Sequence, residues 1–300
     1  MSTGSSLGAV YDRGYRPDEG VRGGREAATF ALYKASIRRA LGIRRSWRQK
    51  VAPFVLLGIA TIPAIVNVGV GYVTRNEAID RVEIITYHEY VGVSSTLLLF
   101  VALVAPDVLC PDRRQHVLPL MFARPLTGID YVLAKVGAIF TILFAFSFLP
   151  QVVLFVGNML VSDSALDYVQ DNLDVLWKVP LAVALLALFY TVVGLAVASL
   201  TERRIVAGAA IIGLLLITSI TAGVLVGDDT GFDDDGSPAA LINVLALPLY
   251  LRDIIFLGEP ESGSPLRGVE YGGLLAALAY AVVVVVAGAV LVSRYRWVEK

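Results

Sequence analysis

A chain of 300 residues that is 56% hydrophobic and only 17% charged is not an ordinary soluble domain; it suits one membrane domain and leaves no room for a large soluble one. The formal net charge of -1 averages over a marked asymmetry along the chain. One cysteine, Cys110, excludes a disulfide framework within the chain and any multi-cysteine metal site, and reads as a small packing hydrophobe.

Residues 1–24 mix Gly, Ser, Pro and charges and cannot bury enough apolar surface to order themselves, so they read as a flexible cytoplasmic tail. The first 25 residues contain no apolar core of a signal peptide, so the first span is expected to serve as the insertion signal. Over 25–49, Phe30, Tyr33, Ile37 and Leu41 recur at helical spacing while Lys34, Arg38, Arg39, Arg44, Arg45 and Arg48 fill the rest of the circumference. That pattern predicts an amphipathic helix in the cytoplasmic interface, with Trp47 at headgroup level.

Six apolar stretches follow, at about 51–74, 88–110, 132–160, 179–200, 205–227 and 272–293. The first, ~24 residues or ~36 Å as a helix, is long enough to cross a bilayer with some tilt. Pro63 near its middle predicts a kink, and the third stretch is long enough to tilt or break at Pro150. Only Thr201–Arg204 separates the fourth from the fifth, which makes them antiparallel neighbours. Residues 240–258 are apolar but interrupted by Pro248, Arg252 and Asp253; they read as one or two short helices at the outer face, a re-entrant element shielded by protein. No internal repeat relates the two halves.

The hydrophilic pieces between the stretches alternate in sign. The odd-numbered pieces (1–50, 111–135, 201–204, 294–300) hold 20 of the 25 Lys and Arg. The even-numbered ones (75–90, 161–178, 228–271) hold 17 of the 26 Asp and Glu. Basic connections stay on the cytoplasmic side, so the expected fold is an all-α membrane protein with six transmembrane helices and both termini cytoplasmic.

Much chemistry is excluded. No GxxxxGK[ST] loop occurs, so the chain is not expected to hydrolyse ATP alone. His88-Glu89 opens like HExxH, but Gly92 stands at the second His position, which leaves a structural or interfacial polar pair. No GxSxG nucleophile turn is present. The span interiors hold no carboxylate for a proton or ion relay; Asp107, at the end of the second span near Arg113 and Arg114, reads as a local ion pair. No enzymatic activity is expected.

Residues 111–135, PDRRQHVLPLMFARPLTGIDYVLAK, have an apolar side (Leu118, Leu120, Met121, Phe122, Leu126) and a basic one (Arg113, Arg114, Arg124). The segment resembles the one that joins spans 2 and 3 in the ABC-2-type permeases, the membrane subunits of a large class of ABC exporters. Asp112, Arg113 and Arg114 match that segment's acidic-basic start, Leu118 and Leu120 its apolar helix, Ala123-Arg124-Pro125-Leu126 its turn, and Tyr131 and Lys135 its close. Family members often carry Gly-Thr where this chain has His116-Val117, and Gly where it has Ala134.

The resemblance, about 25 residues by motif and about residues 25–300 by architecture, implies a permease domain over 51–300 in the plasma membrane. Two copies of a separate ATPase would carry ATP and magnesium, and this chain would bind no cofactor. A second permease subunit, identical or related, would complete the path; membrane lipids are the other partner, and no nucleic acid is expected. Coupling to the ATPase would fall to the segment 111–126 and the N-terminal helix, through Arg113, Arg114, Arg124, Arg38 and Arg39. The implied cargo is hydrophobic or amphipathic. Asn67, Ser94, Ser95, Thr96, Thr218, Ser219 and Thr221 are the polar groups available for a substrate path. Gly223 and Gly227 form a GxxxG spacing for close helix approach, within the subunit or between two. The same surface also suits a non-transporting membrane anchor or regulator of an ATPase complex.

Overall fold

The computed structural model describes residues 23–43, 47–74, 85–91, 94–122, 126–229 and 236–298. Most of these residues are helical, with no strand among them. Residues 1–22 of the expected tail, Arg44 and Arg45, the expected turn residues Ala123, Arg124 and Pro125, and the acidic run Asp233, Asp234 and Asp235 lie outside the described residues.

The elements are α1 Arg25–Ala40, α2 Trp47–Thr74, α3 Tyr87–Tyr90, α4 Ser94–Arg114, α5 Leu118–Phe122, α6 Gly128–Val161, α7 Ala165–Asp171, α8 Val175–Ser199, α9 Arg204–Asp229, a 3-10 turn Pro238–Ile242, α10 Leu247–Leu257 and α11 Gly272–Val298. Five of them, α2, α6, α8, α9 and α11, are long and apolar enough to cross a membrane. The second expected span is the exception. It divides into the single turn α3 and the 21-residue α4, whose far end carries Asp107, Asp112, Arg113 and Arg114. α4 does not need an apolar circumference, because protein surrounds it: Leu97, Phe100, Val101, Val104, Ala105, Val108 and Leu109 are all buried.

Local chemistry explains the boundaries. α1 stops at Ala40 rather than reaching 49, because Gly42 takes a left-handed φ of 66° and Trp47 already opens α2. α6 starts where Thr127 and Asp130 close a capping box, each side chain bonded to the other's backbone N–H. It then runs 34 residues without breaking at Pro150. At ~51 Å it exceeds a hydrocarbon layer of ~30 Å, so its ends reach polar surroundings or it tilts. α2 is likewise continuous through Pro63. α10 ends at Gly258, whose φ of 79° forms a left-handed cap. The apolar stretch 240–258 is therefore two short helical pieces.

α8 is the hub. In its most apolar window 72% of residues are buried, against 17% for α2, α9 and α11, so those three form the rim and present apolar side chains outward. α4 and α6 pack on α8, α11 closes its other side, and α9 leans on α4. Phe100 meets Phe146 at 4.2 Å between ring centres, and Phe189 stacks on Tyr280 at 5.2 Å. α1 is docked along α6, from Arg25 at Asp130 to Tyr33, whose hydroxyl lies 2.9 Å from that of Thr141.

Contacts between helix ends sort the connections into two groups. The end of α4 meets the start of α6, the end of α8 and the start of α9, and the start of α6 meets the end of α11. These are the basic pieces. At the other end, Tyr87 of α3 bonds Tyr168 of α7 at 2.6 Å, and Lys178 of α8 donates to the carbonyl of Phe256 in α10 at 3.3 Å. These are the acidic pieces.

Within the chain, the close approach of α9 to α4 is at Gly208 rather than at Gly223 or Gly227. A Cβ on Gly208 would stand 2.8 Å from the carbonyl oxygen of Ala102, so α9 touches the backbone of α4 there; a Cβ on Gly223 or Gly227 would meet open space. Gly208→Val is expected to cost about 1–3 kcal/mol through overpacking. Gly223→Ala should leave the thermal unfolding midpoint in detergent unchanged or slightly raised.

Candidate functional site: a buried charge cluster beneath a basic face

α4 carries Asp112 two residues before its end, and its position inside the bundle makes that carboxylate fully buried. Three groups converge on it. Arg39 of α1 donates to Oδ1. The Tyr131 hydroxyl donates to Oδ2 at 3.0 Å, and Lys135 Nζ stands 2.6 Å from the same oxygen. Lys135 also donates to the carbonyl of Val108 at 3.0 Å. Tyr131 and Lys135 lie four residues apart on α6, on one face of the helix. An unpaired carboxylate is not stable at such burial; paired with a lysine and bonded by arginine and tyrosine, it is. The cluster ties α1, α4 and α6 together, and Tyr131 extends it to α11 through Tyr295, 4.9 Å away ring to ring.

Arg113 and Arg114 are neighbours in sequence but not in role. Arg113 is folded inward, its side chain 14% exposed; it donates to the carbonyl of Ser199 and lies 3.6 Å from Glu202. It holds the end of α8. Arg114 is exposed, as is Arg38 on α1, and neither makes an ion pair among the described residues. Asp107 pairs with Arg204 at 2.6 Å, across to α9. Of the five arginines expected to couple, Arg39 and Arg113 thus serve as internal struts and Arg38 and Arg114 face outward. Arg124 lies outside the described residues. Leu118 of α5 is buried and Met121 packs against the core, so the short helix after Arg114 is pinned by its apolar side. His116, between α4 and α5, has a φ of 52°. That is the left-handed region, which favours glycine. Cys110 is buried with its Sγ near the carbonyls of Ala198 and Thr201, the position of a packing residue.

The five described polar groups of the expected substrate path are distributed over three helices, α2, α4 and α9. Asn67 is buried on α2 and Thr96 is half-buried on α4. Thr218 on α9 donates back to the carbonyls of Leu214 and Leu215, beside a half-buried Ser219 and an exposed Thr221. The side chains of Ser94 and Ser95 lie outside the described residues.

A second polar cluster was not legible as such. His88 of α3 bonds Asp253 of α10 through Nε2 at 2.8 Å, across 165 residues. Arg252 donates to the same oxygen through Nε at 2.9 Å and Nη2 at 2.7 Å. All three side chains are buried. Glu89, the other half of the HE pair, is exposed and accepts from the backbone of Thr86 at its own helix start. Ligand atoms of His88, Asp253 and Glu261 lie within 4.8 Å of one another, a spacing that could hold a metal. The guanidinium of Arg252 already bridges Asp253 and, at 3.8 Å, Glu261, and supplies the positive charge there. The signal was the apolar run 240–258 broken by an adjacent Arg and Asp, the only acid-base pair in it. Nearby, Lys178 donates to Asp174 at 2.9 Å and holds that carboxyl below the usual carboxylate range.

Compared with protein-family models and with curated proteins, the chain matches none.

Proposed function

We propose that this chain is the membrane-spanning permease subunit of an ATP-driven exporter of the ABC-2 type, seated in the plasma membrane with six crossings and both termini in the cytoplasm. α4, sheltered by its neighbours, supplies the crossing beyond the five apolar helices. The sign of the charges supports the direction: the helix ends gathered around Asp112 belong to the basic pieces, and basic connections remain inside.

The observation that carries the reading is the pairing of an outward basic surface with a buried brace. Arg38 and Arg114 are exposed, and the residue next to each, Arg39 and Arg113, is tied into the bundle. A soluble partner docked on this face would act on the ends of α1, α4, α6 and α8 together. Nucleotide-driven closure of an ATPase needs stiff contacts of this kind to move helices as a unit. ATP and magnesium belong to that partner; this chain supplies the docking face and the path.

Recovery of the native complex from membranes, with its subunits identified by mass, tests the reading. The expected composition is two permease chains with two copies of a nucleotide-hydrolysing chain. ATPase activity of the complex in vesicles should rise with hydrophobic or amphipathic cargo. A complex that contains the ATPase but ignores every such cargo would make this chain an anchor or regulator. Recovery with no nucleotide-hydrolysing companion would overturn both readings.

A further inference from the structure

Near the end of the bundle that carries the acidic connections, α3, α6 and α8 enclose a cavity of about 200 Å³. Its walls include Tyr87, Phe148, Gln151, Phe155, Val179 and Pro180. All but one of these present mainly carbon. Gln151 is the exception: the residue is 2% exposed, and its Oε1 has no hydrogen-bond partner among the described residues. The Tyr87 hydroxyl is already engaged, bonded to that of Tyr168 and within 3.5 Å of Asn158 Nδ2.

A buried amide with an idle oxygen is an uncommon thing to keep in an apolar wall, since a leucine would fill the space with nothing left unpaired. Water is a poor occupant, because it needs two to four polar partners and this wall offers one free group. A lipid tail fills volume but brings no hydrogen-bond donor. What suits the cavity is a compact apolar body with one hydroxyl. A hydroxyl both donates and accepts, so it satisfies the amide whichever end is turned toward it, and the terminal torsion of Gln is soft enough to turn either. An apolar cavity of ~150 Å³ takes benzene, so this one has room for a body of one or two rings. Leu176 and Val152 stand at its margin, 50% and 37% exposed on the outer surfaces of α8 and α6. The mouth therefore opens sideways, toward the surroundings that the apolar rim of the bundle also faces.

We propose that this cavity binds a small single-hydroxyl amphiphile, a phenol or compact alcohol of one or two rings, taken up from the bilayer, with its hydroxyl on Gln151. This rests on the membrane reading and gives the exporter reading a substrate class.

The test is equilibrium dialysis of 1-naphthol and of naphthalene against the full chain in lipid nanodiscs, with protein-free nanodiscs of the same lipid as the blank. Saturable binding above the blank is expected, roughly five- to tenfold tighter for 1-naphthol than for naphthalene after correction for partitioning, the size of one neutral hydrogen bond. Gln151→Leu should abolish that preference and keep naphthalene binding. Leu176→Trp, at a half-exposed position that tolerates bulk, should weaken both ligands. No saturable binding above the blank, a preference that survives in Gln151→Leu, or binding untouched by Leu176→Trp would each overturn the proposal. Neither ATP nor a partner is needed, so a negative result here leaves the exporter reading standing, and absence of an ATPase leaves this one standing.

Discussion

Asp112→Asn will sharply lower the yield of folded protein. The substitution keeps the shape of the side chain but removes the charge that Lys135, 2.6 Å away and itself buried, depends on. Removing one partner of a buried pair typically costs about 3–5 kcal/mol, because the other is left charged and unpaired. Arg39, partly exposed, can turn to solvent; Lys135 cannot. The companion Asp112→Asn with Lys135→Met should recover much of the loss, since a buried pair replaced by groups of similar volume is often nearly neutral. Thermal unfolding of detergent-solubilised protein reads both. Equal midpoints for the single and double variants would show that Lys135 is not what Asp112 holds in place. The recovered double variant also separates stability from work: if the pair serves as a brace in the proposed complex, cargo-stimulated ATPase activity should stay low although the fold returns.

If the proposed ATPase docks on this face, Arg38→Glu combined with Arg114→Glu should weaken that association by at least roughly tenfold while leaving the unfolding midpoint nearly unchanged. Both side chains are exposed and make no ion pair among the described residues, so reversing them breaks no ion pair there. Across a docking surface, like charges set against each other cost several kcal/mol, which is tenfold or more in affinity. Arg113→Glu should do the opposite, lowering the midpoint through the lost bond to Ser199 and a new repulsion with Glu202. Co-purification at two salt concentrations distinguishes them, because a surface charge effect weakens as salt rises and a folding defect does not. Undiminished co-purification of the Arg38 and Arg114 double variant would remove those arginines from the docking face.

Much of the fold was legible because apolar runs and breakers are local. The limits of α6, α8, α9 and α11 fall within a few residues of the expected spans, since length and hydropathy are properties of the run itself. α4 was harder to place. Its charged end looks like a loop in sequence, and only its neighbours make it a helix that can keep Asp112 dry. The N-terminal helix was foreseen from its periodicity, but Gly42 ended it early, and its docking on α6 through Arg25 and Asp130 involves partners 105 residues apart.

The site residues divide in the same way. Arg113 and Arg114 stood out in the sequence as a basic pair beside an apolar helix; which of them faces out was not readable. Adjacent residues on a helix point about 100° apart, and the bundle decides which direction is buried. His88 and Asp253 show the same limit, because nothing local announces a bond between residues so distant in the chain. Gln151 is one more polar residue in a long apolar run until α3 and α8 close around it.

By itself the sequence determined that this is a helical chain with its charges sorted along it, since helix formation and the preference for lipid or water depend on residues close together in the chain. Only the tertiary structure decided which charges are struts and which are surface, which glycine touches a backbone, and where an idle amide meets an empty space. Those outcomes depend on burial, and burial is a property of the neighbours a residue acquires when distant helices pack.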